Sequence, residues 1–429
     1  MLSRKGHTMH TKLTDRRRFL GLLGLSGVGL FSGIPLASAQ EKPERPLVDS
    51  PPVLQCPTEN SIAVAWAVGR PAAGLVEFGT DKDKLDQTAT GNVLGLNAYH
   101  DRYLQVRLLG LKPNTRYYYR TVTAPFIFHH GHKLERQEPV SSNIFSFETP
   151  GPGGDTASFS VINDTHNNQA TLKRLMPKLA EIGSDYTVMN GDIVSSYDNS
   201  EIAVEAILRP GGAAFATERP ILFVPGNHDH RGQWARNLSL AVPLWDHAAP
   251  EDRLLTRNFV VRKGPLALIG LDTGEDKPDW HPAWSGLARF EPYRIAQRDW
   301  LERMLKSPTI ATAPFVVAFC HIPIFDADPN ANGGDVLENW AQFQRQAGNL
   351  WGPLLMKYGV QLLVAAHRHR FRCDAPTADR TWTQIVGGGN DPKGQVTIIH
   401  GKASGNSLEV VVDELNEGKE LGRWTFPKR

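Results

Sequence analysis

The chain has 429 residues, 41% of them hydrophobic and 21% charged, with a formal net charge of +2. Two domains are the natural expectation at this length, and the balance of apolar and charged residues is that of a soluble globular protein rather than a fibrous or disordered one. The small positive charge belongs to the first 39 residues; without them 41 basic residues stand against 44 acidic ones, a net charge of −3, which leaves no electrostatic footprint for nucleic acid or an anionic membrane.

The first 39 residues read as an export signal. Arg4, Lys5, Lys12 and the run Arg16-Arg17-Arg18 precede an uncharged Gly/Leu-rich stretch from Phe19 to Ala37, and Ala37-Ser38-Ala39 offers small residues for cleavage. Asp15 to Leu20 resembles the bacterial twin-arginine export motif. A membrane anchor is the alternative, but the five glycines between Phe19 and Ala37 make a weak one. The expectation is a cleaved signal over 1–39 read by the twin-arginine machinery, a periplasmic or secreted location, and no stable anchor afterwards. Cys56, Cys320 and Cys373 are too few and scattered for a disulfide framework, and Cys320, ending an apolar run, reads as a core residue.

Residues 48–149 read as β. Ile62, Val64, Trp66 and Val68 alternate with Ala63, Ala65 and Ala67, and Leu104, Val106 and Leu108 repeat the period of two. His129-His130-Gly131-His132 interrupts this region and reads as a solvated hairpin tip, with metal binding the alternative. Residues 150–156 are rich in Pro and Gly and form a linker. From 157 to the end, apolar runs alternate with helical stretches near 169–182, 199–209, 297–306 and 337–357. The long connection 274–295 carries Trp280, His281, Trp284, Phe290 and Tyr293 and reads as a packed cover or a substrate-facing lid. Asp326 to Asp335 looks faintly like a calcium loop but lacks the central glycine and the closing glutamate, so it reads as a pocket rim.

Five apolar runs end in the same way. Phe159–Ile162 leads into Asn163-Asp164-Thr165-His166, and Tyr186–Met189 into Asn190-Gly191-Asp192. Ile221–Val224 leads through Pro225-Gly226 into Asn227-His228-Asp229-His230, Phe315–Phe319 into Cys320-His321, and Gln361–Ala366 into His367-Arg368-His369. Buried strands with polar tips would gather these side chains at the C-terminal sheet edge, where open α/β sheets bind ligands. In extended chain, residues i and i+2 point the same way, so Asp164 with His166, and His367 with His369, are each expected to grip one ion.

This series resembles the calcineurin-like metallophosphoesterases over roughly residues 157 to 370, in the family's order. The resemblance implies a four-layer α/β/β/α sandwich and two divalent ions, manganese, iron or zinc, that activate water and neutralise charge on phosphorus. It implies that Asp164, His166 and His369 complete one ion's shell and Asn227, His321 and His367 the other's, with Asp192 bridging both. His228 then resembles the family's proton donor, and Asp229 is expected to hold that ring or a ligand histidine from behind. Arg368, Arg370, His230 and Arg231 are candidate phosphate contacts. Gly110 to Tyr117 resembles the corner of a fibronectin III-like sandwich, in which a tyrosine hydroxyl pins the preceding turn. A similar all-β sandwich precedes the catalytic domain of purple acid phosphatases.

Two departures limit that last likeness. Where purple acid phosphatases carry an iron-binding tyrosine this chain has Ser195, and where their first motif has glycine it has His166. Protein serine/threonine phosphatases place an aspartate and an arginine where Ser195 and Ser196 stand. Ala366 replaces a usual glycine and is expected to be tolerated. The function implied is hydrolysis of a phosphomonoester, a small-molecule substrate, by attack of a metal-bound hydroxide. A cyclic-nucleotide or other phosphodiesterase is the alternative within the family, and an adhesion module with a structural metal centre the alternative outside it.

Overall fold

The computed structural model describes residues 45–92, 95–247, 249–326, 341–390 and 394–429, with the side chains of 341–344 left aside. The export signal expected over 1–39 and all but Asp326 of the loop 326–335 lie outside these residues.

The alternation in the second strand decides how the N-terminal region is built. Its strands are β1 (Val53–Gln55), β2 (Ser61–Ala67), β3 (Ala72–Gly79), β4 (Gln87–Thr90), β5 (Tyr99–His100), β6 (Tyr103–Leu109), β7 (Arg116–His130), β8 (Lys133–Arg136), β9 (Val140–Ser141) and β10 (Phe145–Glu148). Ile62, Val64 and Trp66 of β2 share a core with Val76, Tyr117, Tyr119 and Phe147, which closes a sandwich between β1-β2-β6 and β10-β7-β3-β4. The corner forms as expected: the Lys112 backbone N–H donates to the buried Tyr117 hydroxyl at 3.0 Å. His129, His130 and His132 are exposed at the β7–β8 turn, and His129 meets Glu135 at 2.9 Å.

The remaining strands are β11 (Thr156–Ile162), β12 (Tyr186–Asn190), β13 (Ile221–Val224), β14 (Phe259–Lys263), β15 (Leu266–Leu271), β16 (Phe315–Cys320), β17 (Leu362–Ala365), β18 (Arg372–Asp374), β19 (Thr383–Val386), β20 (Thr397–Ser404), β21 (Ser407–Glu414) and β22 (Lys419–Pro427). They build a nine-stranded sheet, β22-β21-β20-β11-β12-β13-β1-β2-β6, and a six-stranded one, β14-β15-β16-β17-β19-β18. The first sheet therefore runs unbroken out of the sandwich: β1 pairs in parallel with β13 through Gln55 and Ile221, and Gln55 Nε2 donates to the Ala241 carbonyl at 3.0 Å. On the far face of β2, Ala65 and Ala67 join the core of Ile162, Met189, Phe223 and Leu172. One strand thus feeds two cores, and the small alanine face lets the second approach closely.

Helices flank the two sheets: α1 (Gln169–Ile182) covers the nine-stranded sheet, while α3 (Phe290–Lys306) and α4 (Ala341–Lys357) cover the six-stranded one. Phe159, Val188, Val224, Leu268, Phe319 and Val364 fill the space between the sheets, so the order is helix, sheet, sheet, helix. Two of the expected helices differ. The stretch 199–209 is one turn, α2 (Ser200–Ala203), capped by Asn199 and followed by a π turn. Helix α3 begins seven residues earlier than expected, because Asp279, far upstream, accepts from the Phe290 and Glu291 backbone N–H groups at 2.7 and 3.1 Å. Phe290 and Tyr293 accordingly belong to a helix rather than to the connection.

Candidate metal centre

The polar tips of five strands meet across the two sheets. β11, β12 and β13 are parallel neighbours in one sheet, and β16 and β17 in the other, so their C-terminal ends point the same way. Asn190 stitches the sheets together: its Nδ2 donates to the Cys320 carbonyl at 3.0 Å and to the Val364 carbonyl at 3.3 Å.

Beyond the strand ends the backbone turns left-handed. Asp164, His166, Asp192, His367 and His369 all sit at positive φ, between 46 and 69°. Alternation in extended chain therefore does not govern them, and the structure corrects that expectation. Asp164 and His166 still converge, but through a kink. His367 and His369 part company: His369 gathers with Asp164, His166 and Asp192, and His367 with His321 and Asp192. Asp192 is the carboxylate common to the two groups.

The spacings suit shared ions. Donor atoms about 2.1 Å from one ion stand roughly 3.0–3.4 Å apart in octahedral or tetrahedral arrangement. His166 Nε2 lies 3.2 Å from His369 Nε2, which lies 3.2 Å from Asp164 Oδ1. His321 Nε2 lies 3.2 Å from Asp192 Oδ2, and His367 Nδ1 lies 3.0 Å from Asn227 Oδ1. Asp164 Oδ1 and His321 Nε2 are buried with no hydrogen-bond partner, which is what atoms turned toward a cation would show. His321 presents Nε2 because its Nδ1–H donates to the Asn190 carbonyl at 2.9 Å.

The electrostatics point the same way. Burial would push His321 down, yet the Asp192 and Asp164 carboxylates beside it push it up to about 10. Burial and the neighbouring His321 charge push His367 down to about 4. Asp192 is buried, which opposes ionisation, but His321 holds its carboxyl far below the usual range. A cluster of carboxylates and imidazoles with no thiolate suits hard or borderline divalent ions. Cys320 is fully buried and its Sγ faces the Ile322 carbonyl.

Two glycines let the loops close in. A Cβ on Gly191, at φ +83°, would lie 2.4 Å from His321 Nδ1, and one on Gly226 would lie 2.3 Å from Asp192 Oδ1. Ala366, at the usual glycine position, is buried without positive φ, and its N–H donates to the His321 carbonyl at 2.8 Å.

His228 stands at the rim. Its backbone N–H donates to Asp192 Oδ1 at 2.8 Å, its Nδ1–H donates to the Ser195 carbonyl at 2.7 Å, and its ring meets His166 edge-on at 4.9 Å. Asp229 is hydrogen-bonded neither to that ring nor to a ligand histidine, which corrects its expected role. Its Oδ2 instead accepts the Gly226 N–H at 2.8 Å, closing its own turn, and its carboxyl is buried. Burial and the Asp192 charge push it up to about 7.

The four phosphate-contact candidates separate. His230 turns away to Asp272 at 3.0 Å and meets Phe290 edge-on at 5.0 Å. Arg231 is held by Glu275 and Asp276 and reaches His228. Arg368 faces Asp326 at 3.7 Å, and with His367, Arg370, Phe371 and Arg372 it lines a cavity of about 630 Å³ beside the ligands. The connection after Gly274 is fastened through Glu275, Asp276 and Asp279, while Trp280 on it is 56% exposed. Sequence reasoning missed Asn163, whose Nδ2 donates to Asp164 Oδ2 at 2.7 Å, and the two-sheet bond of Asn190. Both follow apolar runs directly, which was the available signal.

Comparison with known proteins agrees with this geometry. Residues 157–371 match the family model described as calcineurin-like phosphoesterase, and residues 52–149 match that of the purple acid phosphatase N-terminal domain. Among curated relatives, the chain is 24% identical over 400 residues to "Probable purple acid phosphatase 20" of Arabidopsis thaliana, covering 86% of this chain and 81% of that one. It is 24% identical over 405 residues to "Purple acid phosphatase 15" of the same plant, covering 83% and 68%. In fold it is similar to a purple acid phosphatase from yellow lupin (Lupinus luteus) seeds, with a TM-score of 0.60 at 14% identity over 89% of this chain and 75% of that one.

Proposed function

The chain belongs to the calcineurin-like phosphoesterase family and is a metal-dependent phosphoester hydrolase with a dinuclear centre, and on that premise we propose that it hydrolyses phosphomonoesters outside the cytoplasm. The observation that carries the reading is the position of Asp192, whose carboxylate belongs to both ligand groups.

Asp164, His166, Asp192 and His369 would hold one ion, and Asp192, Asn227, His321 and His367 the other. When bound, two divalent ions supply Lewis acidity that lowers the pKa of water and neutralises charge on a phosphate ester. Manganese, iron(II) or zinc fits these ligands, and Ser195 leaves a short hydroxyl 3.3 Å from His166 Nδ1 where a tyrosinate would otherwise stand. His228 is assigned the proton that the leaving oxygen takes up. The bond from its backbone to Asp192 places the ring beside the ligands, and the Ser195 carbonyl fixes the ring's rotation. The monoester preference is supported by the two plant relatives, both purple acid phosphatases by name. Export rests on the basic, Gly/Leu-rich and small-residue pattern of residues 1–39.

One kinetic panel tests these assignments. Metal-loaded wild type and His228→Ala are compared on a nitrophenyl phosphate, an alkyl phosphate and a bis-nitrophenyl phosphate. The monoesters should be turned over faster than the diester, and chelation should abolish all activity. Proton donation is worth about 10²–10⁴-fold and matters most for a poor leaving group, so His228→Ala should lose far more on the alkyl ester. Faster diester hydrolysis would overturn the substrate class, and equal losses on the two monoesters the role of His228.

A further inference from the structure

Arg231 is fixed from behind by carboxylates and faces the His228 ring in front. Its Nε donates to Glu275 Oε1 at 2.6 Å, and its Nη2 donates to Glu275 Oε2 at 3.0 Å and to Asp276 Oδ1 at 2.9 Å. Glu275 is fully buried just after β15, and Lys277 offsets Asp276 at 3.1 Å, so the guanidinium sits in a rigid fork. The remaining nitrogen, Nη1, points at the site and lies 3.0 Å from His228 Nε2.

Nη1 also lies 3.5 Å from His228 Nδ1, and the two distances together set it over the face of the ring rather than on the line of the Nε2 lone pair. A phosphate ester brings anionic oxygens, which accept from a guanidinium more strongly than the face of an imidazole does.

We propose that Arg231 reads the substrate's phosphate group: held from behind by Glu275 and Asp276, it turns its Nη1–H from the face of the His228 ring to a phosphate oxygen. The inference rests on the reading of the site as a phosphomonoesterase. It makes Arg231 a binding residue, and Glu275 and Asp276 positioning residues that aim it.

The test uses the metal-loaded full chain with inorganic phosphate as the probe. Calorimetry should show phosphate binding weakened about ten- to hundred-fold in Arg231→Gln, with partial recovery in Arg231→Lys, as expected for loss of a charge-assisted hydrogen bond. Metal content and melting temperature confirm that each variant is folded. Independently of any variant, the guanidinium ¹⁵N resonances of Arg231 in the wild type should move when phosphate is added, as Nη1–H changes partner. Unchanged phosphate affinity in folded Arg231→Gln, or unmoved Arg231 resonances in phosphate-saturated wild type, would overturn the proposal. Aryl phosphate turnover by the same wild-type preparation separates the two readings: turnover with unchanged phosphate affinity in Arg231→Gln removes only the role of Arg231. A wild type that neither turns over nor binds phosphate removes both.

Discussion

Backbone strain is concentrated where the candidate ligands stand. A non-glycine residue at positive φ costs about 1–3 kcal/mol and persists only where its surroundings over-determine it. Here the surroundings do so: Asp164 N–H donates to the Gly191 carbonyl at 2.9 Å, and His166 N–H to the Asp192 carbonyl at 3.0 Å. Asp164 and His166 are thus held by the loop that carries Asp192. Gly191→Ala should therefore spread its damage, since the added Cβ meets the His321 ring at 2.4 Å. We expect one of the two ions to be lost and kcat to fall by about 100-fold or more, a typical scale for misplaced catalytic groups; full metal content by elemental analysis would contradict this. The ligands themselves were legible because each follows an apolar run. Their left-handed backbone was not, because Asp and His adopt it more often than most residues but still only in a small minority of positions. Nor was the fork on Arg231, whose carboxylates come from 44 and 45 residues away.

At the scale of elements, the connection between β15 and α3 shows how a buried ion pair fastens a loop. His230 and Asp272 lie 3.0 Å apart, and Asp272 also accepts the Gly274 N–H at 2.8 Å. Burial opposes the charge on His230, but Asp272 raises its pKa above the ordinary value; burial likewise opposes ionisation of Asp272, which His230 lowers. A histidine raised on folding gives stability that is complete below its unfolded pKa of about 6.5 and is lost as pH rises through the folded value. A depressed aspartate gives stability present above about 3.9 and lost as pH falls. The pair should therefore stabilise most between those limits. His230→Gln should lower the melting temperature most near pH 5 and progressively less as pH rises beyond about 6.5, and a difference independent of pH would contradict the pairing. The early start of α3 was illegible for a related reason, since its cap, Asp279, comes from outside the helix. The strand periods of β2 and β6 were legible because each strand faces a core on alternate residues.

The whole molecule is less divided than its sequence suggests. Composition separates a β region from an α/β region at a Pro/Gly-rich linker, yet β1 adds to the edge of β13 and carries the sheet across. β1 is three residues long, and its parallel pairing with β13, 166 residues later at Gln55 and Ile221, left no mark in periodicity. Because Val53, Ala65 and Ala67 belong to the same core as Ile162 and Met189, the two regions should unfold together. Calorimetry of the metal-loaded chain should give one transition with matching calorimetric and van't Hoff enthalpies, and two separable transitions would contradict a shared core.

If the Asp192 carboxylate serves both ions, metal stoichiometry will register its loss at both sites. Asp192 belongs to both ligand groups, whereas His369 belongs to one. Purified wild type should hold two ions per chain, His369→Ala about one, and Asp192→Asn fewer than either, with turnover lost in step. Asp192→Asn that retains two ions and normal turnover would contradict the account.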